Sequence, residues 1–374
     1  MTIDDSTRRK FLQATAGAGV IGVAGCIGDD VDPDEDPLDD EDDDTDGDMD
    51  GDDDAEYELR MGTSSGGTFD VGLAVEQMVS THSDLVNYST IEAPGFIGTV
   101  YQIDEGVIDG GITDNNTLDK AINNEGDFED DPLDSIPFQG FQAFPYSAHL
   151  VAREETDIET FDDLAGATVY PAEPGFSNRE TALEVWQMPQ VADIYDEMEI
   201  IDANVDDAPG LMEEGQIDAA IAYGTPGVGN TGFVVEYDAR VDVRYVEHTD
   251  DLVEAIQEFP GAGYSEYEDP VDTFDWQQDL GVDEIVTWDL EVVYAFHPDA
   301  PEEAVYELTK IAAEENDTAQ DAEPRFQPNN VEDLVAMGLE DYPWHPGAAE
   351  YYEEEGVWED DWVVGDPDEA AEYN

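Results

Sequence analysis

Leu59-Arg60-Met61-Gly62-Thr63-Ser64-Ser65-Gly66-Gly67-Thr68-Phe69 joins a short apolar run to a turn of small residues and then to a helical pattern. After the turn, Phe69, Gly72, Leu73 and Val79 recur at the spacing of one helix face. A strand entering a helix through a glycine-rich turn is the opening unit of an α/β fold. The unit repeats: Tyr88–Ile91 reads as a second strand, Gly95–Gly106 as a helix and Gly111–Thr113 as a third strand, before the segment Leu118–Ile122. A second set follows the long β-prone run Phe138–Val151. In it Ala167–Tyr170 is a strand, Pro174-Gly175 a turn, Ser177–Met188 a helix, Met198–Asp202 a strand, Asp207–Glu214 a helix and Ala219–Tyr223 a strand. Another apolar run, Glu284–Phe296, precedes a helix carrying Val305, Leu308, Ile311 and Ala312. The alternation predicts parallel sheet covered by helices in two α/β domains. Two long runs flanking the second set predict a chain that crosses between domains twice, with one domain from 57–145 and 290–374 and the other from 146–289.

Composition narrows the function. The 374 residues carry 98 Asp+Glu against 11 Lys+Arg, a net charge of −87, yet 40% are apolar, with 17 Tyr, 14 Phe and 6 Trp. The apolar content is enough for a core. With no basic patch to neutralise phosphates, nucleic-acid binding is excluded, and so is electrostatic attachment to anionic lipid. Acidity spread over a globular pattern points to a very salty medium, where the Debye length falls to about 3 Å and carboxylate repulsion is screened.

The N-terminus reads as an export signal over residues 1–25. Thr7-Arg8-Arg9-Lys10-Phe11-Leu12 resembles the twin-arginine motif. The mild stretch Ala14–Gly25 is too short and weak to span a bilayer, and it ends in Val23-Ala24-Gly25-Cys26, which resembles a lipobox. Cys26 has no second cysteine to pair with, and it stands where a lipoprotein is cleaved and lipidated. Residues 26–56 read as an acidic, extended tether. Asp42-x-Asp44-x-Asp46-Gly47 within it begins like a calcium loop but lacks the closing glutamate, and no metal is expected.

Six ordered stretches resemble the solute-binding proteins of TRAP transporters, specifically the TAXI group. They are Met61–Phe69, Leu118–Ile122 after Thr113-Asp114, Asp163–Val169, Glu214–Ile221, Pro260–Tyr264, and Tyr342-Pro-Trp-His-Pro-Gly-Ala-Ala349 continuing to Gly356. The resemblance implies a two-domain periplasmic-binding-protein clamp, type II-like, with a ligand cleft between its domains. It implies capture of a small organic acid or amino acid such as glutamate and delivery to an integral-membrane TRAP permease, without catalysis or cofactor. The protein would sit on the outer face of the cytoplasmic membrane, held by its lipid anchor.

Candidate ligand residues sit at the strand-to-helix turns. Thr63, Ser64, Ser65, Gly66, Gly67, Thr68 and Phe69 form the first, where helix N–H groups suit an anion and the alternative is an ordinary turn with a cap. Thr113, Asp114 and Asn115 end the third strand, as ligand groups or as a helix cap. In the second set, Gly175, Phe176, Ser177, Asn178 and Arg179 fill the matching turn. Arg179 suits a bidentate carboxylate, or else pairs with an acid such as Glu180 or Glu184. Tyr223 and Thr225 close the last strand of that set, and Tyr146, Tyr170 and Trp186 are aromatic walls or core. Phe96, Ile97 and Phe176 stand where the TAXI pattern is small or polar, which makes the pocket bulkier. His345 reads as a helix-start residue. The rival reading is a cell-surface lipoprotein enzyme acting on a small polar substrate in the same cleft. No Gly-x-Ser-x-Gly, P-loop or His-Glu-x-x-His motif supports it.

Overall fold

The computed structural model describes residues 55–64, 66–336, 338–339 and 342–373. The signal, Cys26, the tether up to residue 54, and Ser65 lie outside the described residues. Among the described residues, no helix is long and apolar enough to cross a membrane.

Eleven strands form one continuous mixed sheet: β1 Tyr57–Thr63, β2 Val86–Glu92, β3 Gly110–Asp114, β4 Phe138–Arg153, β5 Thr168–Tyr170, β6 Glu199–Ile200, β7 Ala219–Thr225, β8 Gly229–Asn230, β9 Val243–Tyr245, β10 Gly263–Glu268 and β11 Glu284–Phe296. The order along the sheet is β2-β1-β3-β11-β4-β7-β5-β6. The expected parallel pairs are present, β1 with β2 and β3, and β5 with β6 and β7. The two long strands correct the all-parallel expectation, because β4 and β11 run antiparallel to each other, to β7 and to β3. The helices that matter for the site are α1 Gly67–His82, α2 Gly95–Asp104, α3 Asn115–Asn123, α4 Ser177–Trp186, α5 Glu302–Glu314 and α6 Pro346–Glu355.

Hydrophobic side chains collect into cores at the two ends of this sheet. Lobe 1 holds Leu59, Met61, Val75, Ile112, Phe144, Val292, Tyr294 and Leu308 on one face. Its other face carries Val100, Ile103, Leu118, Phe138, Val293 and Ala295. Successive β11 residues thus serve opposite faces, as a strand covered on both sides must. Lobe 2 holds Leu150, Val169, Trp186, Ile221, Tyr237 and Trp288.

Between the lobes the sheet narrows to two strands. β7 pairs with β4 only from Ser147 onward, and β10 pairs with β11 only up to Asp289. β3 joins β11 at Val292. Pro145 and Tyr146, opposite Glu291 and Leu290, therefore have no other strand beside them. Pro145 also has no N–H to give to the ladder.

The His-Pro-Gly-Ala stretch has a structural cause. His345 Nδ1 accepts from Gly347 N at 3.2 Å and caps α6, with Pro346 in the first turn, where a missing N–H costs nothing. Gly347 lies so close to α5 that a Cβ there would stand 2.2 Å from the Glu302 carbonyl oxygen. Gly347→Ala should therefore lower stability by about 1–3 kcal/mol, as overpacking does. Gly210, in the helix Ala208–Glu213, has nothing within 4 Å of its Cβ position. Gly210→Ala should raise stability by about 0.5–1 kcal/mol. Denaturant melts in molar KCl compare the two; equal effects would contradict this packing.

The lobe 2 core encloses two histidines among aromatic rings, His149 against Phe274 and Trp276, and His248 stacked on Trp288. Neither imidazole has a hydrogen-bond partner among the described residues. Burial pushes both pKa values down to about 3. A depressed histidine contributes stability above its unfolded pKa, and that stability is lost as pH falls from about 6.5 toward the folded value. Between about pH 7 and about pH 5, His149→Phe should lose about 2 kcal/mol less than the wild type. Urea midpoints at the two pH values test this, and parallel losses would contradict it.

Candidate functional site

Tyr146, at the waist, packs against the cores of both lobes. The Tyr146 ring meets Tyr223 of β7 edge-on, 5.6 Å between centroids, and Phe144 at 5.1 Å. Burial pushes the Tyr146 hydroxyl pKa up, while the nearby Arg325 charge pulls it down. Arg325 lies flat against the first turn, its Cζ, Nε and Nη1 each 3.1 Å from where a Cβ on Gly67 would stand. A side chain at position 67 would have to push the guanidinium aside by a few tenths of an ångström. Arg325 Nη1 donates to Glu323 Oε1 at 3.1 Å, and no partner is recorded for its Nε and Nη2 among the described residues. Two residues on, Gln327 N donates to the Ala143 carbonyl, and Gln327 Nε2 donates to the Pro226 carbonyl of lobe 2 at 2.6 Å.

The helix that starts at the first turn has no side-chain cap, and Gly66, at φ 82°, supplies the left-handed bend into it. Ser64 and Thr68 use their hydroxyls on each other, at 2.6 Å, and Thr68 Oγ1 also donates to the Ser64 carbonyl at 2.8 Å. Thr63 points away from the turn, since its Cγ2 lies 2.8 Å from a Cβ built on Gly72 of α1. Thr63 thus packs its methyl group against α1, while its Oγ1 is buried without a partner among the described residues. Phe69 is half-buried beside it in the first turn of α1.

Asp114 and Asn115 are tied into the fold. Asp114 accepts from Thr117 N at 2.9 Å and Thr117 Oγ1 at 2.6 Å, capping α3. Burial raises the Asp114 pKa, opposed by these bonds, by the Lys120 charge and by the Ser177 hydroxyl of lobe 2. Asn115 Oδ1 accepts from Glu291 N at 3.0 Å, and Thr113 Oγ1 donates to the Phe96 carbonyl at 3.3 Å. Beyond them α3 meets α4. Asn116 Nδ2 donates to Thr181 Oγ1 and to Glu184 Oε2, both at 2.9 Å, and Lys120 Nζ stands 2.8 Å from Glu184 Oε1.

The second turn is held by Arg179, and here the structure corrects the carboxylate clamp. The guanidinium is buried, with Nη1 donating to the Ala172 carbonyl at 2.9 Å and Nη2 to Asp202 Oδ1 at 2.5 Å. Neither Glu180 nor Glu184 is its partner. Ala172 has φ 94°, a conformation costly for a residue with a Cβ, and the Arg179 bond pins its carbonyl. Gly175, at φ 92°, supplies the bend, and Phe176 is exposed at the lip. Asn178 Oδ1 and Thr225 Oγ1 are buried without a partner among the described residues. Such groups cost roughly 1–3 kcal/mol each unless something else meets them. Tyr170 gives its hydroxyl to the Ala203 carbonyl at 3.2 Å, and Trp186 is core.

A cavity of about 600 Å³ opens in lobe 2 beside the second turn, lined by Pro174 of that turn, by Asp202, the partner of Arg179, and by Asn204, Asp207, Leu211 and Glu214 among others. None of the ligand residues expected from the sequence lines it.

A model of the NMT1-like family matches residues 60–356. The chain belongs to the NMT1-like family. No curated protein matches it. The solved periplasmic aliphatic sulphonate binding protein SsuA from Escherichia coli is similar at 14% identity, covering 81% of this chain and 94% of that one, with a TM-score of 0.42. A binding protein component of an ABC phosphonate transporter from Pseudomonas aeruginosa is similar at 11% identity, covering 75% and 84%, with a TM-score of 0.42.

In this NMT1-like chain the sequence reading missed Arg325. The available signal was scarcity: with eleven cations against 98 acids, an arginine in Glu323-Pro324-Arg325-Phe326-Gln327 merits the scrutiny given to Arg179. The two arginines should separate by experiment. Arg179→Ala leaves the buried Ala172 carbonyl without its donor and frees the strained turn, so it should lower solute-free stability by about 1–3 kcal/mol. Arg325→Ala should stay within about 0.5 kcal/mol of the wild type. Denaturant melts without solute measure both, and the reverse order would contradict these assignments.

Proposed function

We propose that the protein is an extracytoplasmic solute-binding subunit of a transporter, closing two lobes on one small anionic solute. The convergence of both lobes on the waist carries this reading: the uncapped start of α1, the Arg325 guanidinium, Tyr146, Tyr223 and the unpartnered Thr225 and Asn178 groups. Helix N–H groups and a guanidinium suit a carboxylate or a like anion. Aromatic faces around them suit a solute with an apolar body. Family membership agrees with a binding role and gives no reason to expect catalysis.

The finer reading is a TAXI-type subunit serving a TRAP permease, with an organic acid or an amino acid such as glutamate as cargo. Residues 57–145 with 290–374, and 146–289, are the two jaws. Residues 1–25 direct twin-arginine export, Cys26 is lipidated, and 26–56 tether the jaws near the membrane. Such a tether raises the effective concentration of the loaded protein at its permease.

The test is a thermal-shift panel in molar KCl with dicarboxylates, amino acids, sugars and nucleosides. A solute at about 100 times its dissociation constant should add about 2.7 kcal/mol. We expect one acid class to shift the melt and Arg325→Ala to abolish that shift. A cooperative melt that no compound shifts contradicts the binding reading. A shift that survives Arg325→Ala contradicts the anchoring role.

A further inference from the structure

The strand that forms half of the waist carries two acids astride the crossing, Asp289 on the lobe 2 side of Leu290 and Glu291 on the lobe 1 side. Both are almost fully buried. Their partners are neutral. Ser265 Oγ donates to Asp289 Oδ2 at 2.5 Å, Thr287 Oγ1 donates to Asp289 Oδ1 at 2.8 Å, and Gln142 Nε2 donates to Glu291 Oε2 at 2.5 Å. No salt bridge to either is found among the described residues. Residues two apart on a strand share a face, so two like charges would confront each other across the waist.

The lid over them depends on the lobes being together. Asn115 at the start of α3 holds the Glu291 N–H, and both α3 and α4 lie against β11. Those helices are joined to each other only across the lobes, through Asn116, Lys120, Thr181 and Glu184. Separating the lobes parts α3 from α4 and admits water to the carboxyls. The surrounding elements carry other titratable groups: Tyr146 and Arg153 on β4, Asp119 on α3, Arg179 and Glu180 on α4, Tyr264, Glu266 and Glu268 on β10, and Glu284 and Tyr294 on β11 itself. β10 offers Tyr267, bonded to Ser147 at 3.1 Å, β3 ends in the capping Asp114, α3 and α4 hold the Lys120–Glu184 pair, and β4 carries the neutral His149 two residues past Ser147.

We propose that this pair is a proton-linked hinge: the closed form holds a proton between Asp289 and Glu291, and opening the lobes releases it. This rests on the clamp reading of the two lobes. Burial pushes both carboxyls up, Glu291 furthest, with the Asp289 charge adding to it. Stability from a raised carboxyl is present below its ordinary range and lost as pH rises through the folded value, so acid favours closure and alkali favours opening. Solute binding that favours closure must then take up protons, by linkage.

The test is a distance between spin labels at Val107→Cys in lobe 1 and Val235→Cys in lobe 2, both exposed positions, in the full chain with Cys26→Ser. Pulsed dipolar spectroscopy in molar KCl, without solute, compares about pH 5 with about pH 8. The expected result is a distance that lengthens by several ångströms with pH in the parent and stays short in Glu291→Gln. Asp289→Asn should blunt the change and serves as the second variant if Glu291→Gln does not fold. A parent distance that ignores pH overturns the proposal, as does an undiminished change in either variant. A solute that shortens the distance while pH leaves it alone would overturn the hinge and leave the clamp standing.

Discussion

A sheet of eleven strands reduced to two at Pro145-Tyr146 and Leu290-Glu291 is the constraint on which the rest of this molecule depends. On either side of it a separate hydrophobic core fixes a lobe, so bending concentrates where the fewest ladder bonds resist. Beside the waist, polar bonds cross between the lobes, among them Asn116 to Thr181 and Glu184, Lys120 to Glu184, and Gln327 to Pro226, while the Tyr146 ring packs against both cores. Polar contacts can be exchanged for water at small net cost, whereas the apolar lobes cannot be parted without losing their burial. The architecture therefore favours motion of two bodies about one narrow link.

Charge scarcity shapes the rest. Arg60 pairs with Asp109, Arg153 with Asp218, Arg179 with Asp202 and Lys120 with Glu184. Each of these holds an element in place. Arg325 differs, because its partner Glu323 is its own near neighbour and its Nε and Nη1 edge lies beside Gly67 at the uncapped start of α1. A guanidinium beside the positive end of a helix is electrostatically incomplete, and an anion would complete it. Were the protein to work in concentrated salt, screening would make such a short-range arrangement count for more than the overall charge of −87.

Much of the fold was legible because hydrophobic period and turn residues agree. The runs Phe138–Val151 and Glu284–Phe296 became β4 and β11. The antiparallel direction of these strands was not legible, since period alone does not encode a partner's direction. The short strands β8 to β10 and the helices Gly232–Arg240 and Asp250–Glu258 also escaped, each too short to show a clear hydrophobic period between its turn residues. At the site, the turns were found but not the duties of their side chains. Arg179 reads as a ligand group from its rarity, yet the positive φ of Ala172, invisible in sequence, gives it a structural task. Arg325 reaches Gly67 from more than two hundred residues away in the chain, a contact no local pattern records.

The central claim is that solute is held at the waist between the lobes. Hydrogen–deuterium exchange of the chain with and without a stabilising solute tests it most directly. The account predicts new protection in the segments around 64–69, 143–147, 223–227 and 323–327. Protection confined to the segments around 202–214, the walls of the 600 Å³ cavity in lobe 2, would contradict it.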